Sequence, residues 1–224
     1  MVRINNTQRR ESMICALVTN ITGLNYCTVC GSMAEFKEYG STPRPHALCP
    51  ICGSLERHRL MNMVLDSSLS QNYCSMLYIG KEKKTAELCS NYGKVDHMFV
   101  TDGTSILSEI KSLGDKSFDS IVCDDLFAHI NDQAHFLEAI KDRLKKGGIL
   151  IIGGFKSNVS SPLDKNNFEY IANTINNFND MSVEVLATDI KLRVNTSLGS
   201  NSITEEQQRT YSTRGNYVIY VVTT

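Results

Sequence analysis

Two Cys-x-x-Cys pairs near the start of the chain constrain its fold more than any other feature. The first pair is Cys27 and Cys30, the second is Cys49 and Cys52, and residues 31–48 separate them. One such turn can direct two sulfur atoms at a single ion, and two turns complete a tetrahedron. A glycine follows each pair, where the absence of a Cβ permits a tight turn. The spacing therefore predicts a zinc site with four thiolate ligands.

Two other interpretations of these cysteines are open: they could be unrelated buried thiols, or two of them could form a disulfide bond. The remaining four are scattered among apolar residues, which is typical of reduced thiols in the core of a cytoplasmic protein. They are Cys15, Cys74, Cys89 and Cys123. If zinc binds, its role should be structural, because four thiolates leave no open position for water or substrate.

A helix is predicted directly after the second pair. Ser54 is a candidate N-cap residue, and the apolar stripe of the helix consists of Leu60, Met61, Val64 and Leu65. Arg57, His58 and Arg59 occupy its first turns, where the helix dipole disfavours cations. These side chains either form a solvated charged face or bind an anionic group such as a carboxylate.

The segment Cys-Pro-Ile-Cys-Gly-Ser-Leu-Glu-Arg-His-Arg, residues 49–59, carries a resemblance to a known family. It resembles the start of S-adenosylmethionine-dependent methyltransferases that have a zinc ribbon before a Rossmann-like domain. The similarity is close over residues 26–62, weaker over 76–154, and returns near 203–222. It implies an N-terminal arm (1–25), a zinc ribbon with its following helix (26–66) and a Rossmann-like methyltransferase domain (67–224).

Length and charge agree with a globular protein. The 224 residues suffice for one domain and a small module. The 23 basic and 24 acidic residues nearly cancel, so no overall basic excess favours nucleic acid as a partner. The apolar run at residues 13–18 is too short for a membrane span or a signal peptide. We therefore expect a cytoplasmic protein without a membrane partner.

Short apolar strands alternate with helical patterns after residue 74. Strands are predicted at residues 75–80, 95–100, 118–123, 149–152, 183–188 and 217–222. Helices are predicted near residues 82–91, 104–113, 132–146 and 164–178. This alternation indicates an α/β fold with a mostly parallel sheet and an antiparallel last strand. Residues 81–117 leave room for one strand where the family has two, so the Rossmann-like class I methyltransferase sheet should be one strand short.

Ligands of open α/β sheets bind beyond the carboxyl ends of the strands, near the point where the strand order reverses. The predicted ends are Gly80, Asp102, Asp124 and Gly153. A glycine lets the backbone approach a ligand, an acidic side chain can accept hydrogen bonds from ribose hydroxyls, and a later polar side chain can contact an adenine amino group. This pattern is typical of a nucleoside site.

The family resemblance implies that this site binds S-adenosylmethionine. The implied cofactor-binding residues are Tyr78, Ile79, Gly80, Lys81, Thr101, Asp102, Gly103, Asp124, Asp125 and Leu126. The glycine-rich loop of most such enzymes is reduced here to one glycine, a trait that the zinc-ribbon family shares. His129 is a candidate general base; the alternative is a structural histidine at the start of a helix. Methyl transfer can also proceed by proximity alone.

Two functions are consistent with these patterns. The first is methyl transfer from S-adenosylmethionine to an oxygen or nitrogen of a small molecule, sugar or peptide. The second is a non-catalytic zinc-ribbon module that binds nucleic acid or protein and is carried on a degenerate Rossmann-like domain. The strand-end acids and the resemblance favour the enzyme, whereas the single glycine and the short sheet favour the binding module.

Overall fold

A computed structural model describes residues 24–41, 43–69, 74–100, 106–126, 130, 132–155, 182–189 and 215–223. The N-terminal part contains β1 (Asn25–Tyr26), β2 (Met33–Ala34), β3 (Lys37–Tyr39) and β4 (Arg44–Leu48). Helix α1 (Glu56–Ser68) follows, and then β5 (Cys74–Gly80), α2 (Lys83–Cys89), β6 (Gly93–Phe99), α3 (Ile106–Ser112) and β7 (Phe118–Asp124). The last elements are α4 (Gln133–Lys141), β8 (Leu144–Phe155), β9 (Ser182–Asp189) and β10 (Gly215–Thr223).

Six strands form one sheet in the order β6-β5-β7-β8-β10-β9. Strands β6, β5, β7 and β8 are parallel, while β10 lies antiparallel between β8 and β9. The predicted Rossmann-like methyltransferase fold, with a mostly parallel sheet and an antiparallel last strand, is confirmed. In the described part of residues 81–117 the one strand is β6, in agreement with the predicted short sheet.

The alternation of side chains along the strands divides the core between the two faces of the sheet. On one face, α3 and α4 pack against residues such as Ile79 and Ile121. On the other face, α1 and α2 pack against Tyr78, Val122 and Tyr217. The helix that follows the cysteine pairs therefore belongs to the core of the sheet domain. Among the described helices, none combines the length and apolarity needed to cross a membrane.

The N-terminus of α1 differs from the prediction. Its N-cap residue is Leu55 rather than Ser54, and the Leu55 N–H donates to Nδ1 of His58 at 3.0 Å. The Ser54 hydroxyl instead lies 3.1 Å from Sγ of Cys27 and 3.2 Å from Sγ of Cys52. Ser54 was wrongly predicted as the cap because the cysteine cluster uses its hydroxyl, and the histidine supplies the acceptor that a capping residue would provide.

Helix α4 begins as predicted and ends earlier. The Asp132 carboxylate accepts a hydrogen bond from the backbone N–H of His135 at 3.1 Å, which confirms the predicted cap. The helix stops at Lys141, and Leu144 already belongs to β8. Pairing of β8 with β7 thus starts before the predicted helix end, and Gly147, with φ +76°, lies in an irregularity of β8. The predicted helix at 164–178 falls outside the described residues.

Candidate functional site

The two Cys-x-x-Cys turns have the same backbone geometry. The Gly31 N–H donates to the carbonyl of Cys27 at 2.8 Å, and the Cys27 N–H donates to Ser32 at 2.9 Å. The turn that begins at Cys49 repeats both bonds at 2.9 Å. Gly31 and Gly53 have φ values of +71° and +70°, which L-residues with a side chain rarely adopt. The sequence therefore builds two equivalent turns, each of which presents two sulfur atoms.

The four sulfur atoms converge on one point. The Sγ atoms of Cys27, Cys30, Cys49 and Cys52 all lie within 4.8 Å of one another. The Cys27–Cys52 and Cys30–Cys49 separations are 3.6 and 3.9 Å. Sulfur atoms at about 2.3 Å from a tetrahedral zinc ion would be about 3.8 Å apart, whereas a disulfide bond requires about 2.05 Å. The arrangement fits a metal ion, and these four residues are free cysteines.

Hydrogen bonds within the cysteine cluster favour the thiolate form of Cys52. Burial opposes ionisation of the Cys52 thiol, but hydrogen bonds from the hydroxyl and backbone of Ser54, and from Cys27 and Cys30, lower its pKa to about 6. At Cys27, burial dominates and raises the pKa to about 12. Because metal ligands must be deprotonated, a bound cation would supply the charge that keeps both sulfurs ionised.

Arg59 attaches α1 to the cysteine turns. Its Nη1 donates to the carbonyls of Ala47 and Ser54, each at 3.0 Å, and its guanidinium lies 4.4 Å from the centroid of the Phe36 ring. A further bond joins the Thr28 hydroxyl to the Arg59 carbonyl at 3.0 Å. This arginine is therefore engaged inside the N-terminal module, where it adds hydrogen bonds to two backbone carbonyls.

Arg57 and His58 point instead at the loop after β5. The Arg57 guanidinium contacts both carboxylate oxygens of Glu82, at 3.0 and 2.6 Å, and Nε2 of His58 lies 2.8 Å from Oε1 of the same residue. This confirms the interpretation that cations at the start of α1 bind a carboxylate. Burial opposes ionisation of Glu82, but the hydrogen bonds and charges of His58 and Arg57 lower its pKa to about 2.

Acid should weaken this contact. Because the folded-state pKa of Glu82 lies below its ordinary value of 4.5, the contact stabilises the protein above that pH and is lost as the pH falls towards about 2. The shift corresponds to roughly 3 kcal/mol at most. We expect urea denaturation to show a stability difference between wild type and Glu82→Gln that is largest near neutral pH and shrinks in acid. Other titratable groups near Glu82 are Tyr78, Asp124 and Tyr217.

The matched control is Glu56→Gln. Glu56 pairs with Arg44 at 3.2 Å, and both side chains are 31% exposed, so its loss should cost at most about 1 kcal/mol. A Glu82→Gln difference that does not change with pH would show that the carboxylate is not held in its ionised form.

Gly80 and Asp124 are paired neighbours at the carboxyl ends of β5 and β7. The strand order reverses between these strands, because β6 lies on one side of β5 and β7 on the other. A Cβ on Gly80 would lie 2.5 Å from the Tyr78 hydroxyl oxygen and 2.9 Å from the Asp124 carbonyl oxygen. The Tyr78 hydroxyl also donates to the Glu82 carbonyl at 2.9 Å and accepts its N–H at 3.2 Å. Glycine is therefore required by the packing of the loop.

Asp124 is the last residue of β7, and it is only 1% exposed. Its Oδ1 accepts a hydrogen bond from the hydroxyl of Tyr217, whereas Oδ2 is buried without a partner among the described residues. Burial raises the pKa of Asp124, while the hydrogen bond from Tyr217 and the nearby Thr85 side chain offset part of this rise. Burial also raises the pKa of Tyr217, helped by the Asp124 charge. An unsatisfied acceptor therefore lies next to Gly80.

The other predicted cofactor residues differ in their surroundings. Ile79 and Leu126 are fully buried in the apolar cluster beneath α3 and α4, so only their backbone can contact a ligand. Lys81 is exposed. Asp125 has φ +52°, and its N–H donates to the Gly153 carbonyl at 2.9 Å. The remaining predictions, which fall outside the described residues, are Thr101, Asp102, Gly103 and His129.

The sequence analysis did not identify Glu82 as the partner of Arg57 and His58, and it missed Tyr217. The position of Glu82 could have been used to find this contact. A carboxylate two residues after a strand-end glycine is a possible partner for the cations Arg57 and His58, which the sequence left without an explanation. Tyr217 could not have been found in this way, because it lies 93 residues from Asp124 in the chain. Only the antiparallel pairing of β10 with β8 brings it to this end of the sheet.

Comparisons with known proteins agree with this architecture. Residues 67–152 match the family model described as a methyltransferase domain, which confirms the prediction of a methyltransferase-type enzyme. A comparison with curated proteins gives no match.

Solved structures with similar folds include three methyltransferases. One is a SAM-dependent methyltransferase from Archaeoglobus fulgidus, with 15% identity, a TM-score of 0.49, and coverage of 75% of this chain and 94% of that one. Another is phosphoethanolamine N-methyltransferase 2 from Haemonchus contortus, with 11% identity, a TM-score of 0.46, and coverage of 74% and 36%. The plantazolicin methyltransferase BpumL has 12% identity, a TM-score of 0.45, and coverage of 74% and 80%.

Proposed function

We propose that this protein transfers a methyl group from S-adenosylmethionine to an oxygen or nitrogen atom of a small molecule, sugar or peptide. The observation that carries the proposal is the pairing of Gly80 with Asp124 where the strand order reverses, inside a segment that matches a methyltransferase domain. Ligands of open α/β sheets bind at this position. The unpartnered Oδ2 of Asp124 fits a donor such as the amino group of adenine.

Different residues at this edge of the sheet would bind different parts of the cofactor. The loop at Gly80 would contact the nucleoside through its backbone, and the exposed Lys81 offers an ammonium group for a carboxylate. Asp102 follows β6 by three residues, and its carboxylate would accept hydrogen bonds from ribose hydroxyls. S-adenosylmethionine would supply an electrophilic methyl group. The chain's own contribution is to hold the acceptor nearby, with His129 proposed as the base that removes its proton.

The metal ion is proposed to be zinc with a structural role. The sulfur separations fit a tetrahedral ion, and all four ligands come from the protein, so no position is left for a substrate. The zinc ribbon would then hold the first turns of α1, which packs against the sheet. We expect the ion to contribute to folding and to take no part in the methyl transfer.

A nucleic-acid-binding module is the weaker alternative. The basic side chains near the cysteine pairs contact groups of the protein itself: Arg44 pairs with Glu56, Arg57 and His58 with Glu82, and Arg59 donates to two carbonyls. Cations that are engaged in this way offer less charge to a phosphate backbone.

Isothermal titration calorimetry with S-adenosylhomocysteine tests the proposal. We expect saturable binding by the wild-type protein and at least about tenfold weaker binding by Asp102→Ala, since tenfold equals about 1.4 kcal/mol. Asp115→Ala is the matched control because Asp115 is an exposed acid after α3, near the amino end of β7. Its affinity should equal that of the wild type. Absence of binding at millimolar ligand would reject the proposed function.

A further inference from the structure

The contacts of Glu82 join two parts of the molecule that lie far apart in the chain. Its carboxylate is held by Arg57 and His58, the second and third residues of α1, while its backbone holds the Tyr78 hydroxyl. Glu82 is also the N-cap residue of α2, yet its side chain makes no capping bond there. The carboxylate is therefore committed to α1 rather than to its own helix.

His58 is fixed in one tautomer by the same arrangement. Its Nδ1 accepts the backbone N–H of Leu55 at 3.0 Å, so a neutral ring carries its proton on Nε2, which lies 2.8 Å from the Glu82 carboxylate. The ring is 4% exposed, which restricts its motion. One imidazole thus caps the first turn of α1 and donates to the loop after β5.

Arg57 holds the same carboxylate through two further hydrogen bonds, from Nε at 3.0 Å and Nη2 at 2.6 Å. Burial opposes the charge of this guanidinium, but the hydrogen bonds and charge of Glu82 raise its pKa. Arg57 lies five residues after Cys52, and Glu82 lies two residues after Gly80. The start of α1 therefore connects the cysteine cluster to the loop at Gly80.

We propose that Arg57 and His58 are positioning residues for cofactor binding, which act by holding the Glu82 carboxylate and thereby fixing the loop of Gly80, Lys81 and Glu82. This inference rests on the proposed function. The loop at residues 80–82 lacks the glycine-rich sequence of most such enzymes. Its conformation is instead held by α1, whose Arg57 binds the Glu82 carboxylate. The N-terminal module then contributes to cofactor affinity without contacting the cofactor.

Three variants test the proposal by calorimetry with S-adenosylhomocysteine and by hydrogen exchange of the ligand-free protein. Glu82→Gln and Arg57→Ala should each weaken binding by about ten- to a hundredfold, as expected for loss of bonds to a charged group. Both should speed amide exchange at residues 81–86 and retain the metal ion. Arg57→Lys keeps the positive charge but loses the bidentate contact with the Glu82 carboxylate. Its affinity for S-adenosylhomocysteine should therefore lie between those of wild type and Arg57→Ala.

The matched control is Glu56→Gln, which breaks the Arg44–Glu56 pair in the same first turn of α1. It should leave both affinity and exchange at residues 81–86 unchanged. The proposal is overturned if the wild type binds S-adenosylhomocysteine and Glu82→Gln binds it equally well. A wild type that does not bind rejects the proposed function and this inference together, and exchange at residues 81–86 then reports only on the contact itself.

Discussion

Replacing Cys49 with serine should release the metal ion and unfold the ribbon around it. Among the described residues of this module, the apolar cluster consists of Cys27, Ala34, Phe36 and Cys49, with Val29 and Cys52 packed beside them. Half of that core consists of the proposed metal ligands, and a core this small cannot offset the entropy of ordering the chain. Structural zinc binds such sites with roughly 10–16 kcal/mol, most of which appears as folding free energy.

Metal analysis and thermal unfolding of the purified protein measure this effect. We expect one zinc ion per chain in the wild type, none in Cys49→Ser, and an unfolding transition that is lowered or lost. Cys74→Ser is the control, because the Cys74 thiol lies outside the cluster and donates to the Tyr92 carbonyl at 3.4 Å, which a hydroxyl can also do. Full zinc content and unchanged unfolding in Cys49→Ser would contradict the assignment of the metal site.

Gly80→Ala should both destabilise the protein and weaken cofactor binding. The added Cβ would lie 2.5 Å from the Tyr78 hydroxyl oxygen, and Tyr78 is fully buried and bonded to the loop through Glu82. The Asp124 carbonyl at 2.9 Å is backbone and cannot swing away. Overpacking of this kind costs about 1–3 kcal/mol. Because the displaced loop forms the proposed site, affinity for S-adenosylhomocysteine should fall by more than about tenfold.

Gly148→Ala provides a matched control for this substitution. A Cβ there would lie 2.7 Å from the Lys145 carbonyl, so the steric conflict is similar, but Gly148 lies in the irregular stretch of β8 between the paired residues Leu144 and Ile149, away from the proposed site. Gly148→Ala should lose stability and keep its affinity in the folded fraction. Equal losses of affinity in the two variants would mean that stability alone accounts for the effect of Gly80→Ala.

The features that sequence predicted well arise from local patterns. The spacing of Cys27, Cys30, Cys49 and Cys52 determines their convergence because each turn is closed by its own backbone hydrogen bonds. The strands of the parallel sheet were located because buried strands are short apolar runs. Even the short sheet could be anticipated from the length of residues 81–117 alone.

Other features depend on partners that are distant in the chain. Asp124 was expected to face a ligand, yet its Oδ1 is taken by Tyr217, which reaches it through the β8–β10 pairing. Ser54 has the local signature of a cap, but a sulfur cluster that includes Cys27, which lies 27 positions earlier, uses its hydroxyl. In both cases a tertiary contact overrides the local preference.

The contact between the start of α1 and the loop after β5 likewise depends on a partner that is distant in the chain. Cations at the start of a helix are unfavourable by themselves, so Arg57 and His58 indicated an anionic partner without identifying it. The partner, Glu82, became evident only when α1 was placed against the loop after β5. A local conflict in the sequence thus marked a long-range contact.

A crystal structure of the protein with S-adenosylhomocysteine tests the central claim most directly. The account predicts the adenosyl group at the carboxyl ends of β5, β6 and β7, against residues 80–82, 101–103 and 124–125, with Glu82 still held by Arg57 and His58. A nucleoside bound at another surface, or an edge beside Gly80 that stays filled by side chains at saturating ligand, would contradict it.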